Sequence, residues 1–213
     1  MTARSDDRAV LLSGGGAPPA GPPRRASVRG GARRGSRFPQ NGGVGIRIVA
    51  VEPGALPSAV LERLGDSVVA AYDAVGALEG DDEYVPELRD VARRVREAIV
   101  FAALDEAGGV PLGCVTYVPG PDNAWAEHLR DGESSIRMLA VDPAAQGRGA
   151  GTALAEACLA RARADGRRAV FLHSLPVMAG AQRIYERLGF RRAPVRDWVF
   201  PDFLLMGFLL DLA

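Results

Sequence analysis

The chain has 213 residues, 47% hydrophobic and 24% charged, the proportions of an ordinary globular domain with a tail. Its formal net charge is zero, yet residues 1–45 hold eight Arg against Asp6 and Asp7, leaving an acidic remainder that argues against a nucleic-acid-binding domain with a basic face. No lysine occurs, which excludes chemistry at a lysine amine, and no apolar run approaches the ~18 residues of a membrane span.

Residues 1–45 are dominated by Gly, Pro, Ser and Arg. Such a stretch buries too little apolar surface to offset its ordering entropy, so it is expected to be disordered, with one folded domain over 46–213. Ala9–Leu12 is too brief for the apolar region of a signal peptide, and the cytoplasm is the expected address.

Ile46–Val51 reads as a strand stopped by Pro53-Gly54. Leu56–Leu78 has apolar residues at helical spacing, with Gly65 expected to split it into two helices. Pro86–Ala98 reads as a further helix, its stripe of Leu88, Val91, Ala92 and Val95 lying beside arginines. Ile99–Leu104 and Leu112–Val118 are expected strands of a hairpin turned at Gly108-Gly109, followed by a polar loop over Pro119–Gly132. The remaining order is strand Ser135–Val141, helix Gly151–Ala164, strand Ala169–Ser174, helix Ala179–Leu188 and strand Leu204–Leu212. This is a mixed α/β domain. Cys114, in an apolar run, and Cys158, in an expected helix, read as buried thiols in a reducing compartment.

The most informative stretch is the passage from strand Ile136–Val141 through Asp142-Pro143-Ala144-Ala145 into Gln146-Gly147-Arg148-Gly149-Ala150-Gly151-Thr152 and a helix. Three glycines allow a tight turn and close approach of a ligand to the main chain. The first N–H groups of the helix lack intrahelical partners and sit at the positive end of its dipole, which suits a pyrophosphate. Arg148 can add charge from within the loop. A Walker A loop needs a lysine, which the chain lacks. The dinucleotide fingerprint needs glycine where Thr152 stands and an acid where His173-Ser174 falls.

Gln146, Gly149 and Gly151 match the Q/R-x-x-G-x-G/A cofactor motif of the GNAT acetyltransferase superfamily. Ala181-Gln182-Arg183-Ile184-Tyr185-Glu186-Arg187-Leu188-Gly189-Phe190 resembles that family's A-x-x-x-Y-x-x-x-G-F signature, and the resemblance covers roughly Ile46 to Leu212. It implies an α/β fold with a central mixed, mostly antiparallel sheet, splayed parallel strands and helices on both faces. It also implies acetyl-CoA as co-substrate, its pantetheine arm paired with the backbone of Leu139, Ala140 and Val141, and its pyrophosphate held by the N–H groups of Gly147, Arg148, Gly149, Ala150, Gly151 and Thr152. Arg161, Arg163, Arg167 and Arg168 are candidates for its 3′-phosphate, although cations at a helix end also complement the dipole.

Amine acetylation requires a deprotonated amine, a polarised thioester carbonyl and a proton for the departing thiolate. The resemblance implies an oxyanion donor at a main-chain N–H near Leu139, and Tyr185 as the acid, since a phenol with pKa near 10 stays protonated at neutral pH. Relatives often carry a carboxylate where Ser135 stands. Glu133, two residues earlier with the same strand parity, is the candidate base, with Glu127, His128 and His173 as further candidates. Met178 occupies a position where many members have Asn. No cluster has metal-ligand spacing, so no metal is expected. The expected acceptor is a small-molecule amine or a protein N-terminus, with no nucleic acid or membrane partner, and the resemblance admits a homodimer. A non-catalytic acyl-CoA-binding module is the alternative, motivated by Ser135.

Overall fold

β1 (Ile46–Val51) forms where expected and runs antiparallel beside β2 (Ile99–Asp105) along the edge of the sheet. The structure is a computed structural model that describes residues 45–78, 83–200 and 203–212; the expectation for the tail over 1–44 lies outside the described residues. The sheet continues through β3 (Pro111–Val118) and β4 (Glu133–Val141) to β5 (Ala169–Ser174) and β8 (Leu204–Asp211). Two short strands missed from the sequence, β6 (Arg191–Arg192) and β7 (Trp198–Val199), pair with β8. All pairings are antiparallel except β4 with β5.

Helices cover both faces. On one lie α1 (Ser58–Asp73), α2 (Val85–Arg89) and α3 (Val91–Glu97); on the other, α4 (Ala150–Ala164) and α5 (Ala179–Arg187). The period-2 alternation of β2 divides the core between them. Val100, Ala102 and Leu104 join Leu64, Val68 and Leu88 in one cluster, while Phe101 and Ala103 join Leu154 and Cys158 in the other. β3, covered on both sides, is buried at all eight positions, so its sequence is a nearly continuous apolar run. Full burial of Leu64 or Leu88 stabilises the fold by roughly 2 kcal/mol each. Cys114 and Cys158 are free, buried thiols, one in each cluster.

Two helical expectations are corrected. Gly65 does not split Leu56–Leu78: α1 runs unbroken through it. A Cβ at Gly65 would stand 2.2 Å from the Arg89 carbonyl oxygen, so the glycine serves the close crossing of α1 and α2. The expected Pro86–Ala98 helix is two helices broken at Asp90 (φ −79, ψ 67), whose Oδ1 accepts from Arg93 N at 2.8 Å. An aspartate that caps the next helix competes with continuation of the first.

Candidate active site

The parallel pairing of β4 and β5 covers three register pairs, Glu133–Ala169 to Ser135–Phe171. Beyond Ser135, β4 continues to Val141 paired only with β3. Part of the divergence is built into β4 by a bulge, where the register with β3 shifts and Met138 takes φ +51. Left-handed backbone is strained for Met, and bulged strands bend. On β3, Gly113 accommodates this: a Cβ there would lie 2.3 Å from the Ala140 carbonyl oxygen. The fully buried Arg94 of α3 underlies the bulge, its Nη1 donating to Leu88 O at 3.0 Å and to the Met138 sulfur. The gap between the strands leaves part of the backbone of Ile136–Val141 without a strand partner on the β5 side.

The glycine loop lies just past the end of β4. Gly147 and Gly149 have φ +78 and +92, and a Cβ at either would meet nothing within 4 Å, so the loop's outer side is open. Gly149 is the N-cap of α4 and supplies no side-chain acceptor. Ala153 N donates back to Gly149 O at 3.0 Å, while the amides of Ala150, Gly151 and Thr152 precede the first intrahelical bond. Gln146 Nε2 donates to Val141 O at 3.3 Å, tying the loop to the strand. Asp142 secures the turn by accepting from Ala144 N at 2.9 Å and from Ser67 Oγ of α1 at 3.2 Å.

Arg148 departs from expectation: its Nη2 donates to Asp105 Oδ2 at 2.7 Å, a bond that lowers the Asp105 pKa. The charge of Arg148 is therefore partly answered at the end of β2. Arg161, Arg163, Arg167 and Arg168 fall at or beyond the far end of α4. Arg161 is about 16 Å along the helix axis from Ala150 and is paired with Asp165 at 2.8 Å. They stand at the opposite end of α4 from the glycine loop.

A cleft with ≈ 610 Å³ of space, its open mouth included, occupies the gap between β4 and β5. Ser135 to Met138 line it from β4, His173 and Ser174 from β5 with Leu175 just beyond it, and Tyr72, Tyr84 and Glu127 from the α1 side. Glu127 Oε1 lies 2.6 Å from Arg137 Nη2, and burial pushes the Glu127 carboxyl up to about 7 against the pull of that guanidinium. Arg137 also donates to Trp125 O at 3.0 Å and lies over the Trp125 ring. Burial raises the phenol of Tyr72 to about 12 and drives that of Tyr84 upward; the two rings meet edge to face at 6.4 Å. His173 Nε2 is 3.0 Å from Arg196 O, and burial lowers its pKa, which favours a neutral ring stacked on Trp198.

Glu133 stands elsewhere. Its two carboxylate oxygens accept from Arg196 at 2.7 and 2.9 Å, and Oε2 also accepts from Arg130 N at 2.9 Å. It does not line the cleft. Arg196 itself caps the Phe171 ring at 3.5 Å and donates to His128 O at 2.7 Å. Glu133 thus anchors the Pro194–Arg196 turn to β4, with both oxygens committed. His128, also a candidate base, is exposed, edge-on to the Trp198 ring at 4.3 Å.

Tyr185 sits on α5 in the opposite core cluster, packed between Phe190 and Phe208 at 5.6 and 6.2 Å between ring centroids. Burial carries its phenol far above 10, so it stays protonated. The preceding Ile184 contacts the start of α4: a Cβ at Gly151 would stand 3.0 Å from its Cδ1. Tyr72 and Tyr84 were not anticipated, because a tyrosine at a helix end or in a loop reads as ordinary amphipathic packing. Among the described residues no group of three or more His, Cys, Asp or Glu side chains is arranged to hold a metal ion, and no helix is long and apolar enough to cross a membrane.

Residues 66–190 match the profile of the Acetyltransferase (GNAT) family. A mycothiol acetyltransferase from Actinosynnema mirum is 29% identical over 152 residues, which is 70% of this chain and 45% of that protein, so the chain spans less than half of its length. An acetyltransferase of the GNAT family from Staphylococcus aureus Mu50 shares the fold with a TM-score of 0.61 at 15% identity, covering 79% of this chain and 100% of that one. The Salmonella typhimurium protein yncA, solved with its cofactor acetyl-CoA, gives a TM-score of 0.54 at 20% identity, covering 79% of this chain and 94% of that one. The two structural likenesses concern the fold.

Proposed function

The chain belongs to the Acetyltransferase (GNAT) family, and on that premise we propose that it is an N-acetyltransferase that binds acetyl-CoA and passes the acetyl group to a primary amine by direct attack in a ternary complex. The observation that carries this reading is the continuity of three features: the parted strands β4 and β5, the uncapped start of α4 directly beyond them, and the cleft between them. The residues fit the cofactor. Positive φ at Gly147 and Gly149 leaves the loop's outer side open, and the amides of Ala150, Gly151 and Thr152 are suited to a diphosphate. On the β5 side, where β4 has no strand partner past Ser135, the backbone of Leu139, Ala140 and Val141 offers an edge for an extended amide-bearing arm. When bound, the thioester supplies an activated acetyl carbon.

The remaining work falls to side chains and backbone. Glu127 is the base in this reading, taking a proton from the acceptor ammonium at the cleft wall. A carboxyl near 7 is matched to that task at neutral pH. Glu133 is set aside as base because both its oxygens are held by Arg196. The main-chain N–H near Leu139, beside the bulge, is the candidate oxyanion donor. Tyr185 is the acid for the thiolate that the family resemblance implies; burial keeps it protonated, but it packs between Phe190 and Phe208 and does not line the cleft.

The test is release of free thiol from acetyl-CoA across a panel of amines, alongside CoA binding by thermal shift. Amine-dependent thiol release supports the proposal. CoA binding with no release for any amine would instead favour a non-catalytic acyl-CoA-binding module, the reading to which Ser135 points by replacing the carboxylate common at its position.

A further inference from the structure

Resting on the acetyl-transfer reading, we propose that the acceptor is a free α-amino acid, its carboxylate held by Arg137 and Ser135 and its ammonium by Glu127. Among the described residues that line the cleft, Glu127 is the one acid and Arg137 the one guanidinium, and their charged atoms lie 2.6 Å apart. Glu87 and the fully buried Arg94, which do not line the cleft, add one acid and one cation to the same neighbourhood. His173, its pKa lowered by burial, adds no charge. An acceptor therefore meets a neutral pair, not a free anion.

An amine enters as ammonium, with one positive charge. Alone, it draws on Glu127 at the expense of Arg137 and leaves the site one cation in excess. An α-amino acid brings its own carboxylate on the carbon that bears the ammonium. Laid head to tail against the Glu127–Arg137 pair, it gives each of the four charges an opposite neighbour, and the site stays neutral. Two groups borne on one carbon match wall charges 2.6 Å apart, whereas charges at the two ends of a long chain do not.

β4 supplies the second feature. Ser135 and Arg137 pair with Val118 and Thr116 ahead of the bulge, so they share one face of the strand, and both line the cleft. The Ser135 hydroxyl reaches Ile136 O only at 3.5 Å, the far limit of a hydrogen bond, which leaves it ready to donate to a carboxylate. An acid at 135, as relatives often carry, would repel that carboxylate; serine removes the repulsion. In transfer, Glu127 takes one ammonium proton and the freed nitrogen lone pair attacks the thioester carbon. The C–S bond breaks, the thiolate takes the second nitrogen proton, and an N-acetyl amino acid is left with its carboxylate still on Arg137.

The experiment uses the full chain with leucine, methionine and phenylalanine, each beside its own primary amide and its decarboxylated amine. A further compound, 6-aminohexanoate, is a zwitterion with distant charges. Thiol release from acetyl-CoA gives kcat/KM for each, and calorimetry gives binding to the CoA-saturated chain. The expected result is at least one amino acid about 10-fold or more above its amide, its amine and 6-aminohexanoate. In Ser135→Asp and Arg137→Gln the ratio of acid to amide should fall about 10-fold or more. Amides or amines equal to or above the acid in all three sets overturn the proposal, as does 6-aminohexanoate matching the best amino acid or an unchanged ratio in folded Arg137→Gln. Selective binding of an amino acid without thiol release upholds this site and overturns acetyl transfer alone. Unselective binding overturns the site whatever the turnover.

Discussion

The Glu127 carboxylate and the Arg137 guanidinium meet at 2.6 Å on the cleft wall, yet burial still holds the Glu127 carboxyl near 7. Opposite charge lowers a carboxyl pKa and desolvation raises it; here desolvation is the larger effect. A base in that state is half ionised at neutral pH. Activity should therefore be full above the titration and fall about tenfold per unit as pH drops below about 7, measured as kcat/KM for thiol release. Glu127→Gln should remove that acidic limb and lower kcat/KM by roughly 10²–10⁴, with CoA affinity unchanged. A retained limb in this variant would move the base elsewhere.

Glu133→Gln should behave differently. The Glu133–Arg196 pair is nearly enclosed, with side-chain exposures of 10% and 9%, so losing one partner leaves a buried charge unanswered. We expect a stability loss of about 3 kcal/mol in urea unfolding. The shape of the pH–rate profile should persist in the folded enzyme. If instead the limb vanishes with stability intact, Glu133 belongs to the chemistry.

At Gly149 the backbone, not crowding, sets the requirement, since a Cβ would meet nothing within 4 Å while φ is +92. Gly149→Ala should lower stability by about 1 kcal/mol. Gly149→Glu adds a negative charge at the start of α4, where a diphosphate is expected, and should cut CoA affinity by about tenfold or more beyond the alanine variant. Titration of CoA by calorimetry separates the two effects. Equal affinity in all three proteins would remove the glycine loop from cofactor binding.

Tyr185→Phe deletes one hydroxyl from a packed ring, so Phe190 and Phe208 keep their neighbour. Turnover should drop about 10- to 100-fold if the phenol donates the proton, with CoA affinity and melting temperature nearly unchanged. Undiminished kcat would return Tyr185 to a packing role.

Much of this was legible in the residues because the information was local. β1 and β5 occupy the spans that their short apolar runs indicate, and the strand–glycine loop–helix passage is written in consecutive residues from Ile136 to Ala164. Gly65 misled because an isolated glycine in a helical pattern has the same signature whether it breaks a helix or admits a neighbour such as Arg89. β6 and β7, at two residues each, carry no periodicity and exist because β8 offers them an edge.

The family resemblance, the six longer strands and the last two helices followed from sequence alone, because capping, turning and alternation are decided within a few residues. The choice between Glu127 and Glu133 was not of that kind. Strand parity favoured Glu133, but Arg196, 63 residues away in the chain, claims it. Glu127, in a loop without pattern, is placed against Arg137 and lines the cleft together with Tyr72 and Tyr84. Burial and charge partners set a carboxyl's protonation, and both are properties of the assembled neighbourhood, which only the tertiary structure brings together.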